Sequence, residues 1–288
     1  MADKIGFIGL GLMGSRMALR LAQQGYDVGA YNRTPDRAQN LADKGVRLRE
    51  SPAECAEGAA AVILMVTDAG ACRDVLFGER GLAKSESPVL VINMSTISPD
   101  QSKELAELLT AAGHRYIEVP VYGSTAQVNE GTLVLLAGGE EKDLDDARQI
   151  LQVLGERIFH VGPVGHAAAM KLIHNMVVGI HMQALAEALG TGKAYGLEID
   201  KIIEILAAGV ADSKVRQIKG PQVLQNDFAP RFPLKHQLKD LKLADDLTKQ
   251  LEVPTPLVAA AAWTYERALK DGLGDQDTAA ICSYLMLD

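Results

Sequence analysis

A glycine triplet near the start of the chain limits its fold more than any other feature. Lys4 to Ile8 is a short apolar run, and Gly9-Leu10-Gly11-Leu12-Met13-Gly14 follows it directly. Ser15 to Gln24 then takes up helical spacing through Met17 and Leu21. A G-x-G-x-x-G run between a strand and a helix has a physical purpose at each glycine. Gly9 permits the tight turn, Gly11 presents no side chain to a pyrophosphate, and Gly14 lets the helix pack close to the strand. The N–H groups that open the helix then face the phosphates. The spacing predicts a dinucleotide site built on Gly9, Leu10, Gly11, Leu12, Met13 and Gly14, rather than a bare glycine turn.

Gly25 ends that helix, and Tyr26 to Tyr31 reads as the second strand, running into Asn32-Arg33-Thr34-Pro35. An NAD site usually has an acid here for the ribose 2′-hydroxyl. This chain has Asn32 and then Arg33, which suits a 2′-phosphate carrying roughly −1.5 to −2 charges. The expected cofactor is therefore NADP(H) rather than NAD(H), with Asn32, Arg33 and Thr34 at the phosphate; a solvated turn is the plain alternative for Arg33. Thr34-Pro35 also reads as the cap of the next helix.

Strands and helices go on alternating. Ser51-Pro52 opens a short helix, and Ala60 to Val66 is a strand with Thr67-Asp68 at its carboxyl end, where open α/β sheets bind ligands. Val66 and Thr67 join the cofactor candidates. Val89 to Asn93, Tyr116 to Val119, Thr132 to Ala137 and Arg157 to Val161 read as further strands, with helices at Asp100 to Ala112 and Leu144 to Leu154. The alternation predicts a Rossmann-type, doubly wound parallel sheet in residues 1–163. Beyond Val161 only helical patterns appear, so 164–288 is expected to be all-helical, joined through a long helix over about 165–190.

That helix carries Lys171, His174 and Asn175 among apolar residues. Met170, Ile173, Val177, Ile180, Ala184 and Ala188 recur at steps of three and four, and the helix is expected to be buried almost all round. Lys171 and Asn175 lie one turn apart on one face. A buried lysine must be paired or must lose its proton readily, which suits proton transfer; a lysine reaching out to solvent from the helix edge is the plain alternative. His174 reads as a core histidine. Lys239 and Asp240, ahead of an apolar face at Leu241, Leu243 and Leu247, read at their plainest as a solvated first turn.

Bulk properties narrow the function. The 288 residues carry a formal charge of −8, without a basic stripe, so a nucleic-acid partner is not expected. Three cysteines, Cys55, Cys72 and Cys282, fit neither a disulfide framework nor a zinc site, and no metal is expected. The longest apolar run, Ala59 to Val66, is too short to span a bilayer, and the start of the chain lacks a signal-peptide core. A cytoplasmic protein without a membrane partner is expected, and its helical half suggests a homodimer or homotetramer.

Taken together these residues resemble the β-hydroxyacid dehydrogenases, a family that includes 3-hydroxyisobutyrate dehydrogenase, tartronate semialdehyde reductase and the glyoxylate/succinic semialdehyde reductases. Four stretches carry the resemblance: GFIGLGLMG, the turn Pro120 to Ser124, the run Gly162 to Asn175, and FPLKHQLKDLKLA from Phe232. The NRT triplet and FPLKH-x-x-KD are most similar to the NADPH-using semialdehyde and glyoxylate reductases. The resemblance implies hydride transfer between NADPH and the carbonyl of a small semialdehyde or keto acid. It makes Lys171 the catalytic lysine and Asn175 the amide that holds substrate and lysine. It places Thr96 beside the nicotinamide, Lys239 at the cofactor with Asp240 next to it, and Tyr122, Gly123 and Ser124 in the substrate turn. The chain departs from the family at Tyr122, where the family has a serine that donates to the substrate carboxylate. It departs more mildly at Glu118, Ala167 and His174. Tyr122 leaves an imine (C=N) reductase open as an alternative, beside an NADPH-binding protein without chemistry.

Overall fold

The computed structural model describes residues 3–34 and 39–286. The chain divides into two compact units, Met1–Lys171 and Leu172–Asp288. In the first unit, among the described residues, nine strands form one sheet. They are β1 (Lys4–Ile8), β2 (Asp27–Tyr31), β3 (Val46–Leu48), β4 (Ala61–Leu64), β5 (Leu90–Asn93), β6 (Arg115–Glu118), β7 (Val121–Tyr122), β8 (Leu133–Gly138) and β9 (Gly155–Gly162). The helices of this unit are α1 (Gly14–Gln23), α2 (Gln39–Ala42), α3 (Pro52–Ala56), α4 (Ala69–Phe77), α5 (Pro99–Ala111), α6 (Thr125–Glu130) and α7 (Glu141–Leu154).

Strands β3, β2, β1, β4, β5 and β6 lie side by side and parallel. Their apolar runs alternate between two buried faces. Ile5, Phe7, Ile63 and Ile92 pack with Met17 and Leu21 of α1 and Leu144 and Leu151 of α7. Ile8, Val62, Leu64 and Val91 pack with Cys55 of α3, Leu76 of α4 and Leu105 and Leu109 of α5. Helices on both faces of a parallel sheet are what continuous apolar strands require.

The sheet is parallel-dominated, not parallel throughout. β8 runs antiparallel to both β6 and β7, and β9 then pairs parallel with β8. The cause is connection length. Only Gly123 to Thr132, containing the short α6, joins β7 to β8, too little chain for a parallel crossover. The longer α7 returns the chain to place β9 parallel. Strands β3 and β7 and helices α4 and α6 escape the sequence pattern because each is short or interrupted by small residues. Asp68 caps α4 by accepting from the Ala71 N–H at 2.9 Å. The expected cap at Thr34-Pro35 lies outside the described residues at Pro35.

α8 (His166–Tyr195) is one unbroken helix. It is not buried all round. Met170, Ile173 and Val177 are exposed, and the buried face is instead Leu172, Asn175, Met182, Ala186 and Leu189. The apolar stripe read from the sequence is real, but the neighbouring stripe faces the core of the second unit. That core adds Ile203 of α9 (Ile199–Ala208), Val223 of α10 (Lys214–Leu224), and Leu238 and Leu241 of α11 (Leu234–Gln250). Val258 and Tyr265 of α12 (Pro256–Ala268) and Ile281 of α13 (Ala280–Leu285) complete it.

Asp277 sets the start of α11. Its fully buried carboxylate accepts from the Arg231 and Phe232 N–H groups at 3.0 and 2.9 Å and from Lys219 Nζ at 2.7 Å. No disulfide joins the cysteines, and burial pushes the Cys55 and Cys282 thiols up to about 12. Among the described residues no helix is long and apolar enough to cross a membrane. Removing one partner of a buried ion pair costs about 3–5 kcal/mol. Asp277→Ala is therefore expected to lower unfolding stability by that amount, read as a fall in the urea midpoint.

Candidate active site

The carboxyl ends of β1, β2, β4 and β5 gather the first group of predicted residues. Gly9 has φ +100°, and a Cβ there would meet the Met65 carbonyl oxygen at 2.2 Å. A Cβ on Gly14 would meet the Gly9 oxygen at 2.0 Å, whereas one on Gly11 would meet nothing within 4 Å. The outer two glycines are thus required by packing, and the middle one opens onto space. No side chain caps the start of α1 and no acid stands in its first turn. That leaves the helix terminus suited to an anion. Asn32 locks the turn: its Oδ1 accepts from the Leu10 N–H at 3.0 Å, and its Nδ2 donates to the Thr34 carbonyl at 2.8 Å. Arg33 and Thr34 are exposed beside it. Open space at Gly11 and an uncapped helix start fit the pyrophosphate of a nicotinamide dinucleotide.

A chain of buried polar groups ties the next strand ends together. The Val66 N–H donates to Ser95 Oγ at 3.0 Å, and the Ser95 N–H donates to Asn93 Oδ1 at 3.0 Å. Asn93 Nδ2 donates to the Tyr116 hydroxyl at 3.0 Å, which bonds Ser102 Oγ at 2.8 Å. Ser102 in turn donates to Glu118. Val66 and Thr96 are thereby held at strand ends whose spacing is fixed from below, and Thr67 precedes the α4 cap.

Glu118 ends this chain at the start of α8. Its Oε1 accepts N–H groups from Gly165 and Ala167 at 2.8 Å and Ala168 at 3.0 Å. A carboxylate on the first N–H groups of a helix offsets the helix dipole and satisfies donors that have no partner within the helix. Burial raises the Glu118 carboxyl above its ordinary range, against the opposing pull of Ser102 and the three N–H groups.

Less than two turns along α8, Lys171 Nζ donates to the Val121 carbonyl at 2.9 Å and lies 5.0 Å from the centroid of the Tyr122 ring. The Tyr122 hydroxyl donates to the Met170 carbonyl at 3.1 Å, and burial pushes it up to about 12. Gly123, at φ +131°, makes the turn that follows. Ser124 is occupied as the cap of α6: its hydroxyl donates to Gln127 Oε1 at 2.6 Å and accepts from the Ala126 N–H.

The second unit holds the remaining predicted residues in one network. Asn175 Nδ2 donates to Asp240 Oδ2 at 2.6 Å, and Lys239 Nζ pairs with Asp240 Oδ1 at 2.9 Å. Gln237 Nε2 donates to the Asn175 carbonyl at 2.9 Å, and His174 Nδ1 bonds Asn175 Oδ1 at 3.0 Å. Asp240 is buried, so it is no solvated first-turn residue. Burial, then the nearby Lys239 charge, lowers the His236 imidazole below its ordinary value. Ser95, Asn93, Tyr116, Ser102 and Asp277 carry no motif, and only strand register and long-range folding reveal them. Glu118 was visible as an acid ahead of the turn but not as the partner of α8.

Residues 4–162 match the NAD binding domain of 6-phosphogluconate dehydrogenase, and residues 165–285 match the NAD-binding domain of NADP-dependent 3-hydroxyisobutyrate dehydrogenase. The chain is 36% identical to glyoxylate/succinic semialdehyde reductase 1 of Arabidopsis thaliana over 96% of both proteins. It belongs to the β-hydroxyacid dehydrogenase family. Solved family structures agree. A 3-hydroxyisobutyrate dehydrogenase from Salmonella typhimurium has a TM-score of 0.89 at 27% identity, covering 98% of this chain and 99% of that one. The enzyme of the same name from Mycobacterium tuberculosis, solved with L-serine, has a TM-score of 0.89 at 28% identity, covering 100% of both. The chain is also 36% identical to the cytokine-like nuclear factor N-PAC of Homo sapiens, over 96% of this chain but 50% of that protein. This β-hydroxyacid dehydrogenase family member is an NAD(P)-dependent oxidoreductase acting on CH–OH groups.

The Glu118 contacts give two measurable outcomes. Glu118→Ala strands three buried N–H groups, each worth about 1–3 kcal/mol, and is expected to lose at least one such increment in urea unfolding. The pH dependence follows from the raised carboxyl. The Glu118 contribution is fully present below the unfolded value near 4.5 and declines as pH rises through the higher folded value. The stability of wild type relative to Glu118→Gln is expected to fall from pH 4.5 upward.

Proposed function

We propose that this chain is an NADPH-dependent reductase of small carbonyl acids, of the glyoxylate/succinic semialdehyde type, and runs reversibly as a β-hydroxyacid dehydrogenase. The observation that carries the reading is Lys171, whose ammonium sits on the Val121 carbonyl at the head of the substrate turn. The identity to a reductase of that name supports the substrate class. NADPH, when bound, supplies the hydride. As the carbonyl carbon is reduced, negative charge builds on its oxygen, and the Lys171 ammonium stabilises that charge and donates the proton. In the oxidative direction the neutral Lys171 amine takes the hydroxyl proton. Asn175 stands one turn along α8, held by Asp240, and hydrogen-bonds the substrate oxygen. Thr96, Val66 and Thr67 line the nicotinamide side, and Arg33 meets the 2′-phosphate.

The division into 1–163 as the NADP domain and 164–288 as the substrate and oligomerisation domain is part of the proposal, supported by the two matched regions. So is a cytoplasmic homo-oligomer, in which a second copy covers the exposed Met170, Ile173 and Val177 stripe. Tyr122 favours one second reading, reduction of C=N. An imine reductase from Pseudomonas sp. shares the fold, with a TM-score of 0.65 at 19% identity. Lys171 weighs against that reading.

Lys171→Ala is expected to lower kcat/KM for succinic semialdehyde by about 10²–10⁴-fold, the usual range for general acid–base catalysis. NADPH oxidation followed at 340 nm measures it. Turnover of a cyclic imine in place of every carbonyl acid would move the assignment to C=N reduction, and NADPH binding with no turnover would leave a binding protein. Arg33→Ala is expected to raise the KM for NADPH about tenfold, near 1.4 kcal/mol, with little change for NADH.

A further inference from the structure

The family turn carries a serine where this chain has Tyr122, and the two side chains place their hydroxyls differently. A serine hydroxyl stays close to the turn backbone, in reach of a carboxylate beside the reacting carbonyl. The Tyr122 hydroxyl stands several ångströms further out and donates to the Met170 backbone carbonyl at 3.1 Å. Its backbone is fixed as well, since Tyr122 pairs with Val134 in the sheet and Gly123 turns immediately after it. The ring is therefore held against the Lys171 ammonium, 5.0 Å from its centroid. An ammonium over an aromatic face is attracted by the ring quadrupole. The ring thus occupies the volume next to Nζ and adds a second contact on the lysine beside the Val121 carbonyl bond.

We propose that Tyr122 sets the chain length of the substrate. Its ring stands where a carboxylate attached directly to the reacting carbon would lie, and so discriminates against that carboxylate relative to one carried further along the chain. The preferred substrate class is then the ω-semialdehyde of a dicarboxylic acid, with the shorter α-oxo acid disfavoured. This rests on the reading of Lys171 and the turn as the carbonyl-acid site given above. The Tyr122 proton is engaged by the Met170 backbone carbonyl, and burial pushes its hydroxyl up to about 12.

The test compares wild type, Tyr122→Ser and Tyr122→Phe on succinic semialdehyde and glyoxylate with NADPH. Calorimetry of glycolate and 4-hydroxybutyrate binding to each NADPH complex runs alongside. Tyr122→Ser is expected to shift the kcat/KM ratio at least about tenfold toward glyoxylate, mainly through KM, and to tighten glycolate binding selectively. Tyr122→Phe keeps the ring and is expected to hold the wild-type ratio within about threefold. An unmoved ratio and unmoved glycolate affinity in a folded Tyr122→Ser protein overturn the proposal, as does a Tyr122→Phe shift as large as that of serine. In those cases wild-type carbonyl reduction survives. If wild type and both variants bind NADPH but reduce neither substrate, the carbonyl-acid reading itself fails and takes this proposal with it.

Discussion

A single buried carboxylate joins the sheet to the helix that carries the lysine. Glu118 takes the N–H groups of Gly165, just ahead of α8, and of Ala167 and Ala168 in its first turn on one oxygen and Ser102 on the other. A helix start that is buried needs partners for its donors, and a loose partner would let the helix slide along its axis. Three converging bonds to one oxygen leave little room for that. The Lys171 side chain, its bond to Val121 and its contact with Tyr122 all depend on where the helix begins. Glu118 is in turn placed by β6 pairing with β5 on one side and β8 on the other. The position of the lysine is therefore inherited from strand register.

What could be read from the sequence follows from how local each signal is. The glycine turn is complete within six residues, so its pattern is legible locally, although the crowding that requires Gly9 comes from Met65 beyond the turn and Gly11 opens onto space. Lys171 and Asn175 lie one helical turn apart, so their proximity needs no tertiary knowledge. The network from Ser95 through Asn93, Tyr116 and Ser102 to Glu118 draws on β5, α5 and β6. Its members are ordinary polar residues until the strands are aligned. Asp277 is similar, a lone acid that gains meaning only when Arg231 and Phe232 fold back upon it. The reversal at β8 was hidden because strand patterns carry no direction; the short connection between β7 and β8 decides it.

Helix α8 shows where periodicity stops being informative. Two apolar stripes run along this helix, and periodicity alone does not say which one meets the core. The stripe through Leu172, Asn175, Met182 and Ala186 contains a polar residue and is the buried one. The cleaner stripe, through Met170, Ile173 and Val177, is exposed. Asn175 tolerates its buried place because Asp240 and His174 satisfy its amide on both ends.

That doubly held amide has a consequence for its neighbour. Asp240 in its carboxylate form can only accept, so the NH₂ end of Asn175 faces it and the carbonyl end faces His174. Asn175 Oδ1 likewise only accepts, so His174 must carry its hydrogen on Nδ1. In the neutral ring the lone pair then resides on Nε2. The tautomer of one imidazole is thus dictated by a carboxylate on another helix, relayed through an amide that never changes charge.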